Sequence, residues 1–328
     1  MKQVGSPPLP VALAALDGAL GLHGASSLDP SVPTHVWRRA LVGPAGEFLA
    51  RPGKALRTTI VKAGWLLGGG DAQAFPDRLA LVLELLHAGS LVIDDVEDDS
   101  LERRGDLALH RLIGTPLAIN TGSWMYFWAL AELADLGLDP SALAIAVRAL
   151  VRCHQGQALD LSVVITELDP RDIAAVVATT TKLKTGQLCR LAAELGAIAA
   201  GASIERRAQI GEFAEAMGSG LQMLDDLGSL TCPERRDKGR EDLCAARPTW
   251  PWAWLVGDPQ WHELIVLARE PARVDELADR LSAATVVRGR ACIRATLDRA
   301  LADLRAAGAN PIIDHIASEL ARMETSYG

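Results

Sequence analysis

The amino-acid sequence predicts an all-α protein, and three observations lead to that prediction. Ala and Leu are abundant in the 328-residue chain, 49% of which is hydrophobic, and both residues favour helices. Apolar residues recur at helical spacing over long segments, whereas no alternating run of any length indicates a sheet. Short connections rich in Gly, Pro or charged residues separate these segments. Because no linker divides the chain, we expect one all-α domain over residues 1–328.

The helical spacing places the elements in order along the chain. Residues 1–33 are rich in Pro, Gly and Ser, and they are expected to form a loose arm with a single helix. The connection at residues 231–247 is the most charged one, so we expect an irregular loop there that could act as a lid. The predicted helices span residues 34–50, 54–67, 75–98, 115–136, 140–165, 170–198, 203–228, 248–256, 259–269, 275–307 and 310–323.

The charge balance and the cysteines narrow the classes of function. A formal net charge of −8 argues against a nucleic-acid-binding surface. The five cysteines are scattered without a Cys-x-x-Cys pair, which is typical of thiols in a reducing compartment. No signal-peptide pattern is found, and every apolar window is interrupted before it reaches about 18 residues. We therefore expect a cytoplasmic protein without a membrane span.

The segment at residues 79–105 carries the strongest chemical signal. Asp94 and Asp98 fall one helical turn apart on a single face with Asp95 beside them, and His87 lies two turns earlier on nearly the same stripe. Carboxylates stacked near a helix C-terminus repel one another and the negative end of the helix dipole. A cation would neutralise them, and oxygen ligands suit Mg²⁺ or Mn²⁺. The alternative is an acidic helix end that is simply solvated.

A second apolar segment with paired acids strengthens the metal interpretation. Residues 213–230 form another predicted helix, and this one ends in Asp225 and Asp226. Two apolar helices that each deliver adjacent aspartates predict the two walls of one metal-filled cavity.

Basic residues occur near both acidic segments. Lys54 and Arg57 lie three residues apart near a predicted helix N-terminus, where free amides and positive side chains suit a diphosphate. The alternative for this pair is an exposed, solvated helix face. Lys184 lies in the sequence TKLKTG, and Lys238 and Arg247 lie in the charged loop. Acids that gather metals, together with bases for anionic oxygens, are what the binding of two diphosphates requires.

These motifs resemble those of the trans-prenyl diphosphate synthases, most closely the geranylgeranyl diphosphate synthase branch, over residues 47–260. The sequence DDVEDDSLERRG is similar to the first aspartate-rich motif of that family, and LQMLDDLGS is similar to the second. The motifs that follow the family's order between them are Ile119-Asn120-Thr121, Met125-Tyr126-Phe127, Gln155-Gly156-Gln157 with Asp160, and Lys184-Thr185-Gly186. The resemblance implies an isoprenoid-synthase-type helical bundle around a central cavity, and a homodimer.

The resemblance also implies a function and a role for each matching residue. The enzyme would be a prenyltransferase that condenses isopentenyl diphosphate with allylic diphosphates, using three Mg²⁺ ions, with Mn²⁺ as an alternative. The residues implied to be catalytic are Asp94, Asp95, Asp98, Lys184, Gln222, Asp225 and Asp226, of which Asp94, Asp95, Asp98 and the second aspartate pair would bind metal. The residues implied to hold isopentenyl diphosphate are Lys54, Arg57, His87 and Arg104. Arg103, Lys184 and Lys238 would hold the allylic diphosphate, and Thr185 would also bind substrate.

Small residues before the first motif bear on product length. Gly89 and Ser90 leave room where aromatic side chains would cap the cavity of such an enzyme, so a product near C20 is expected. Four aromatic residues of the next long helix are candidates for a deeper floor, although ordinary core packing accounts for some of them. These four are Trp124, Tyr126, Phe127 and Trp128.

Departures from the family pattern leave two rival functions open. Ser229 stands where many members have a third aspartate, and Arg247 stands where a lysine is usual. The tryptophans at 250, 252, 254 and 261 suit core packing, but they could also stabilise carbocations. One rival is a terpene synthase that cyclises an allylic diphosphate and needs no second diphosphate site. The other is a non-catalytic regulatory subunit, against which the intact first motif argues.

Overall fold

The structure is a computed structural model that describes residues 28–52, 56–308 and 310–326. The helices are α1 Thr34–Trp37, α2 Gly43–Ala50, α3 Leu56–Leu67, α4 Asp77–Glu97, α5 Leu109–Ile113, α6 Thr115–Asp135, α7 Ser141–Ser162, α8 Pro170–Thr181, α9 Gln187–Ala199, α10 Ile204–Thr231, α11 Arg236–Cys244, α12 Trp250–Leu255, α13 Trp261–Leu267, α14 Val274–Ala306 and α15 Ile312–Ser326. Within those ranges the only strands are the two-residue β1 Glu102–Arg103 and β2 Asp106–Leu107. The prediction of an all-α fold is therefore confirmed. No helix of the described ranges is long and apolar enough to cross a membrane.

The chain divides into two compact units. The first contains residues up to 146 together with residues 192–203, and the second contains residues 147–191 and those from 204 onward. Helices α7 and α9 each contribute to both units. The single domain expected from the sequence stays a prediction. The N-terminal arm, residues 1–33, lies mostly outside the described residues, which begin at residue 28.

Close packing of α4 against α6 organises the first unit. A Cβ atom on Gly89 would lie only 2.7 Å from the carbonyl oxygen of Gly122, so the two helices approach as closely as they do because both residues lack side chains. The small residue at position 89 therefore serves helix packing as well. This contact fixes the C-terminal end of α4, where the first aspartates lie.

The aromatic residues of α6 separate into interior and surface positions. Trp128 is buried and stacks on Trp124 with ring centroids 4.9 Å apart. Phe127 is instead 72% exposed. The prediction that Phe127 helps to form an interior floor is therefore wrong for the isolated chain, because helical geometry turns adjacent side chains to different sides.

The second unit has its own core, in which the tryptophan-rich segment takes part. Trp252 and Trp261 meet edge to face with ring centroids 6.2 Å apart, and both are buried with Trp254 among the apolar side chains of this unit. The interpretation of these three residues as core packing is confirmed. Helix α10, which carries the second aspartate pair, packs along α14.

The connection predicted as an irregular loop at residues 231–247 is a helix over much of its length. A short 3-10 turn, Pro233–Arg235, leads into α11. Charged side chains of α11 pair with acids in the first two turns of α14, Arg236 with Asp279 and Arg240 with Asp275. The loop prediction is wrong because these partners lie some 35 to 43 residues away along the chain, beyond the reach of local sequence patterns.

Candidate active site

A tight hairpin follows α4 and directs one arginine back to the aspartates. In the hairpin, Arg103 pairs with Asp106, so Arg104 and Gly105 form a two-residue loop. Both loop residues have positive φ angles, 57° and 81°, as the turns that suit the twist of a tight hairpin require. Glycine tolerates that conformation freely, whereas Arg104 has to be held in it by its surroundings.

Arg103 contacts the first two aspartates directly. Its Nε donates to Asp95 Oδ1 at 2.6 Å, and its Nη2 lies 3.3 Å from Asp94 Oδ2. Burial raises the pKa of the Asp95 carboxyl above its ordinary 3.8, and the Arg103 guanidinium opposes that rise. Asp98 ends the helix, where its N–H donates to the carbonyl oxygen of Asp94. The structure thus brings together the three first-motif aspartates and Arg103.

The first-motif acids have the right chemistry for a divalent cation. Asp95 Oδ2 is buried, and no group of the described chain donates a hydrogen bond to it. Elsewhere in that part of the chain, as here, no three His, Cys, Asp or Glu side chains are gathered as a preformed metal site. Mg²⁺ commonly takes only one or two protein carboxylates together with water and substrate phosphate oxygens. Carboxylates with one buried oxygen unpaired therefore fit such an ion, and the ligand set itself stays a prediction.

Three arginines of the same unit lie near enough to His87 to act on its charge. Burial holds the pKa of His87 well below its ordinary value, and the nearby positive charges of Arg57, Arg104 and Arg103 lower it further. The imidazole is consequently neutral at physiological pH and can donate one N–H to an anion. Lys54, which the sequence places with this group, lies outside the described residues.

Two buried residues near the first motif were not indicated by the sequence. His110 is buried beside the first motif, with its Nε2 3.8 Å from Asp99 Oδ1. Arg51 is also buried, and its Nη1 donates to the carbonyl oxygen of Arg103 at 3.0 Å. The one available signal for Arg51 was its place before a Pro-Gly break that ends a helix.

In the second unit, Lys184 is held by an acid from a neighbouring helix. Its Nζ donates to Asp160 Oδ2 at 2.6 Å, and Arg247 Nη1 lies 3.8 Å from the same oxygen. Lys184 lies in a π-helical turn, Lys182–Gly186, that interrupts the helix predicted over residues 170–198. This turn packs closely against α7, as a Cβ placed on Gly156 would lie only 2.7 Å from the backbone nitrogen of Lys184.

A chain of hydrogen bonds links the remaining predicted residues of this unit. Thr185 Oγ1 donates to Gln222 Oε1 at 2.8 Å, and Gln222 Nε2 donates to Asp226 Oδ1 at 2.8 Å. The other oxygen of Asp226 accepts from the backbone N–H of Trp250 at 3.0 Å. Burial raises the pKa of Asp226 to about 7, although both hydrogen bonds oppose that rise. The Asp226 carboxylate is thus hydrogen-bonded to the first residue of α12.

Asp225, the other acid of the second motif, also contacts a neighbouring residue. So does Ser229, which stands at the position of a third aspartate. Asp225 forms an ion pair with Arg235, the last residue before α11. Ser229 donates its hydroxyl to the carbonyl oxygen of Asp226 at 2.7 Å. Gly239 of α11 approaches so closely that a Cβ there would lie 2.3 Å from the Ser229 carbonyl oxygen. The side chain of Lys238 is not among those described. That both aspartate pairs serve one cavity stays a prediction.

Comparison with known proteins assigns this combination of fold and residues to a family. Residues 38–279 match the family model described as polyprenyl synthetase. A geranylgeranyl pyrophosphate synthase of Hypoxylon pulicicidum is 35% identical over 278 residues, 78% of this chain and 69% of that protein. Geranylgeranyl pyrophosphate synthase 2 of Zymoseptoria tritici is 34% identical over 238 residues, 69% of each protein.

A solved structure shows the same fold. The crystal structure of heptaprenyl diphosphate synthase from Staphylococcus aureus superposes with a TM-score of 0.78 at 20% identity, covering 97% of this chain and 98% of that one. The family match and the all-α isoprenoid synthase fold define a prenyltransferase. The chain belongs to the polyprenyl synthetase family, and it is a short-chain trans-prenyl diphosphate synthase. The comparisons do not favour a terpene synthase or a regulatory subunit.

Proposed function

We propose that this enzyme condenses isopentenyl diphosphate with an allylic diphosphate and releases geranylgeranyl diphosphate, a C20 product. Curated relatives that bear the name geranylgeranyl pyrophosphate synthase support the product length. The small residue Ser90 before the first motif agrees with a chain of that size, whereas Gly89 packs against α6.

The basic group around His87 is the observation that carries the proposal. Arg57 and Arg104 lie near enough to lower the pKa of His87, so their positive charges act in the same region as a neutral hydrogen-bond donor. An enzyme that only ionises and cyclises one allylic diphosphate has no use for a second anion site. Elongation needs one, because isopentenyl diphosphate arrives with its own diphosphate. We assign Lys54, Arg57, His87 and Arg104 to that substrate.

The allylic diphosphate is assigned to the aspartates and to the bases that contact them. Arg103 already lies against Asp94 and Asp95, so a leaving diphosphate held at those acids would gain a positive partner as its charge develops. Asp94, Asp95, Asp98 and Asp225 are the proposed ligands of three Mg²⁺ ions, with Mn²⁺ as a substitute. Asp226 is left out of this set because both of its carboxylate oxygens already accept hydrogen bonds. Bound Mg²⁺ would supply neutralisation of the diphosphate charge.

Residues of the second unit are also assigned to the allylic substrate. Lys184 is positioned by Asp160, and the Thr185–Gln222–Asp226 hydrogen bonds fix the amide of Gln222. We propose that Lys184 and Lys238 bind the allylic diphosphate and that Gln222 faces the reacting carbons. Loss of the diphosphate gives an allylic cation, the double bond of isopentenyl diphosphate attacks it, and the released diphosphate accepts the proton that is lost.

We also propose that the enzyme is a cytoplasmic homodimer. An exposed apolar face on α6, with Phe127 and Ile119 eight residues apart, supports contact with a second copy. Helix α7 carries a further exposed stripe at four-residue spacing, formed by Leu143, Val147 and Val151. The five free cysteines agree with a reducing compartment.

A product assay with and without isopentenyl diphosphate tests the proposal. The purified enzyme and Mg²⁺ would be incubated with dimethylallyl, geranyl or farnesyl diphosphate, and products analysed by chromatography and mass spectrometry. We expect elongated diphosphates ending at C20, formed only when isopentenyl diphosphate is present. An Arg57→Ala variant should lose affinity for isopentenyl diphosphate while its KM for the allylic substrate changes little. Hydrocarbons or alcohols formed without isopentenyl diphosphate would contradict the proposal.

A further inference from the structure

Arg51 is a buried arginine that none of the assigned roles explains. It is 7% exposed and directly follows the last residue of α2. A buried guanidinium loses the solvation of its charge, so the surrounding protein has to replace the lost water contacts.

Three residues replace that water, and each holds a different part of the guanidinium. Nε and Nη2 donate to the two carboxylate oxygens of Glu47 at 3.0 and 3.1 Å, one helical turn earlier. The guanidinium carbon lies 5.3 Å from the centroid of the Phe48 ring, within cation–π range. The remaining nitrogen, Nη1, donates to the carbonyl oxygen of Arg103 at 3.0 Å. Glu47, Phe48 and Arg51 together are called the Arg51 bracket below.

The hairpin that the bracket contacts cannot hold its own position. Each of its strands has only two residues, and an isolated hairpin of that size is not stable in water. Its loop also keeps Arg104 at a positive φ of 57°, a conformation that persists only where surrounding contacts enforce it. The hydrogen bond from Arg51 is accepted by the carbonyl oxygen of Arg103, the residue immediately before this loop.

The bracket also contacts the second arginine of the hairpin. The Arg104 guanidinium carbon lies 5.5 Å from the same Phe48 ring. Arg103 therefore has its carbonyl oxygen held by Arg51 and its side chain directed to Asp95, while Arg104 rests on Phe48. The Arg51 bracket therefore contacts both hairpin arginines. In the proposed function, Arg103 holds the allylic diphosphate and Arg104 holds isopentenyl diphosphate.

We propose that Arg51 is a positioning residue for diphosphate binding, and that it acts through Arg103. This inference rests on the proposed function of Arg103. Arg51 itself is directed at Glu47 and at a backbone carbonyl, so it has no part in contacting substrate. A lysine cannot replace it, because one ammonium group cannot bridge both Glu47 oxygens and the Arg103 carbonyl in a planar fork.

The test is a double-mutant cycle between Arg51 and Arg103. Calorimetry would measure the binding of inorganic diphosphate with Mg²⁺ to wild type, Arg51→Ala, Arg103→Ala and the double variant. We expect Arg51→Ala to weaken diphosphate binding about tenfold and to raise the KM for the allylic substrate by a similar factor, as for a hydrogen bond to a charged group. Arg51→Lys should remain impaired. In the Arg103→Ala background, Arg51→Ala should change binding less than about twofold.

Thermal unfolding of the same variants separates positioning from a merely structural role. Arg51→Ala should lower the midpoint equally in both backgrounds, whereas its effect on diphosphate binding should depend on Arg103. Arg78→Ala is the matched control, because the exposed Arg78 forms an ion pair with a single carboxylate, that of Glu132, at 2.6 Å; the variant should leave binding unchanged. If Arg51→Ala fails to fold, Glu47→Gln is the second variant. It keeps the shape of the bracket, removes the negative charge of Glu47, and should weaken diphosphate binding about threefold.

The outcomes that overturn the proposal are distinct from those that overturn the proposed function. Unfolding at lower temperature with unchanged diphosphate binding would make Arg51 purely structural, as would an equal loss of binding in both backgrounds. If Arg103→Ala weakens binding and no Arg51 or Glu47 variant does, only the positioning role fails. If Arg103→Ala has no effect on binding, the role proposed for Arg103 fails first and the positioning role with it.

Discussion

At the scale of single residues, the environment of His87 decides its chemistry. Imidazole has an ordinary pKa of about 6.5, so it is half charged near neutral pH when solvated. Burial and three neighbouring arginines disfavour a further positive charge, and both effects lower the pKa of His87. In the proposed role, His87 would therefore meet an anion as a neutral donor, and arginine would supply the positive charge.

This depressed pKa makes stability depend on pH in a defined direction. Below pH 6.5 the unfolded chain protonates His87 while the folded chain keeps it neutral, so the unfolded state binds more protons. The free energy of unfolding should then fall as pH falls, with His87 contributing up to about 1.4 kcal/mol per pH unit. Urea denaturation of wild type and His87→Gln at pH 7.5 and 5.5 measures the difference, because other titrating groups contribute equally to both. Equal losses in the two proteins would show that His87 protonates in the folded state.

At the scale of elements, two glycines set the distance between helices that carry site residues. Gly156 lets α7 lie against the π-helical turn that holds Lys184. Gly239 lets α11 lie on α10 at Ser229. In each case an added Cβ would lie under 3 Å from a backbone atom, so a larger residue has to push the elements apart.

Replacing Gly156 with Ala should move the turn that carries Lys184. The new Cβ would lie 2.7 Å from the backbone nitrogen of Lys184 and 2.8 Å from the Leu183 Cβ. Overpacking of this kind costs about 1–3 kcal/mol, more than the gain in helix propensity. We expect a lower unfolding free energy and a kcat reduced about tenfold through the displaced lysine. Ala158→Ser, which adds one atom at an exposed position of the same helix, is the control and should behave as wild type. Normal kcat with reduced stability would show that the turn tolerates displacement.

Replacing Gly239 with Ala should separate α11 from α10. The Cβ would lie 2.3 Å from the Ser229 carbonyl oxygen, a backbone atom that cannot turn aside. If α11 is the lid that the charged sequence predicts, the variant should show faster amide hydrogen exchange over residues 236–244 and a higher KM for the allylic substrate. Ala245→Ser, at an exposed position after α11, is the matched control. Faster exchange with an unchanged KM would contradict a lid function.

The sequence predicted features that depend on local spacing, and it missed those that depend on distant partners. Helical register alone placed Asp94, Asp95 and Asp98 together, and the structure agrees. Arg51 could not be assigned, because the role proposed for it depends on a contact with Arg103, 52 residues away. Helix α11 looked like a loop because its ion-pair partners lie in α14. The prediction for Phe127 failed because a place on the long helix after the first motif does not show which way the side chain points.

At the scale of the whole molecule, the surface of α6 bears on assembly. Large apolar side chains that share one exposed face keep unfavourable contact with water unless a partner covers them. Phe127 is 72% exposed and Ile119 is 44% exposed, two helical turns apart on that helix. A second copy of the chain presents the same face, so a two-fold interface there would bury both residues symmetrically.

Replacing Phe127 with Asp should therefore convert the proposed dimer to a monomer. A carboxylate at the centre of an apolar interface would be buried without a partner in both copies, and one such buried charge costs several kcal/mol. Light scattering after size-exclusion chromatography should give the mass of two chains for wild type and of one chain for Phe127→Asp. Val287→Asp is the control, because Val287 is 80% exposed on α14, another helix, and should leave the mass unchanged. A wild-type protein with the mass of one chain would refute the homodimer, and a dimeric Phe127→Asp variant would place the interface on another surface.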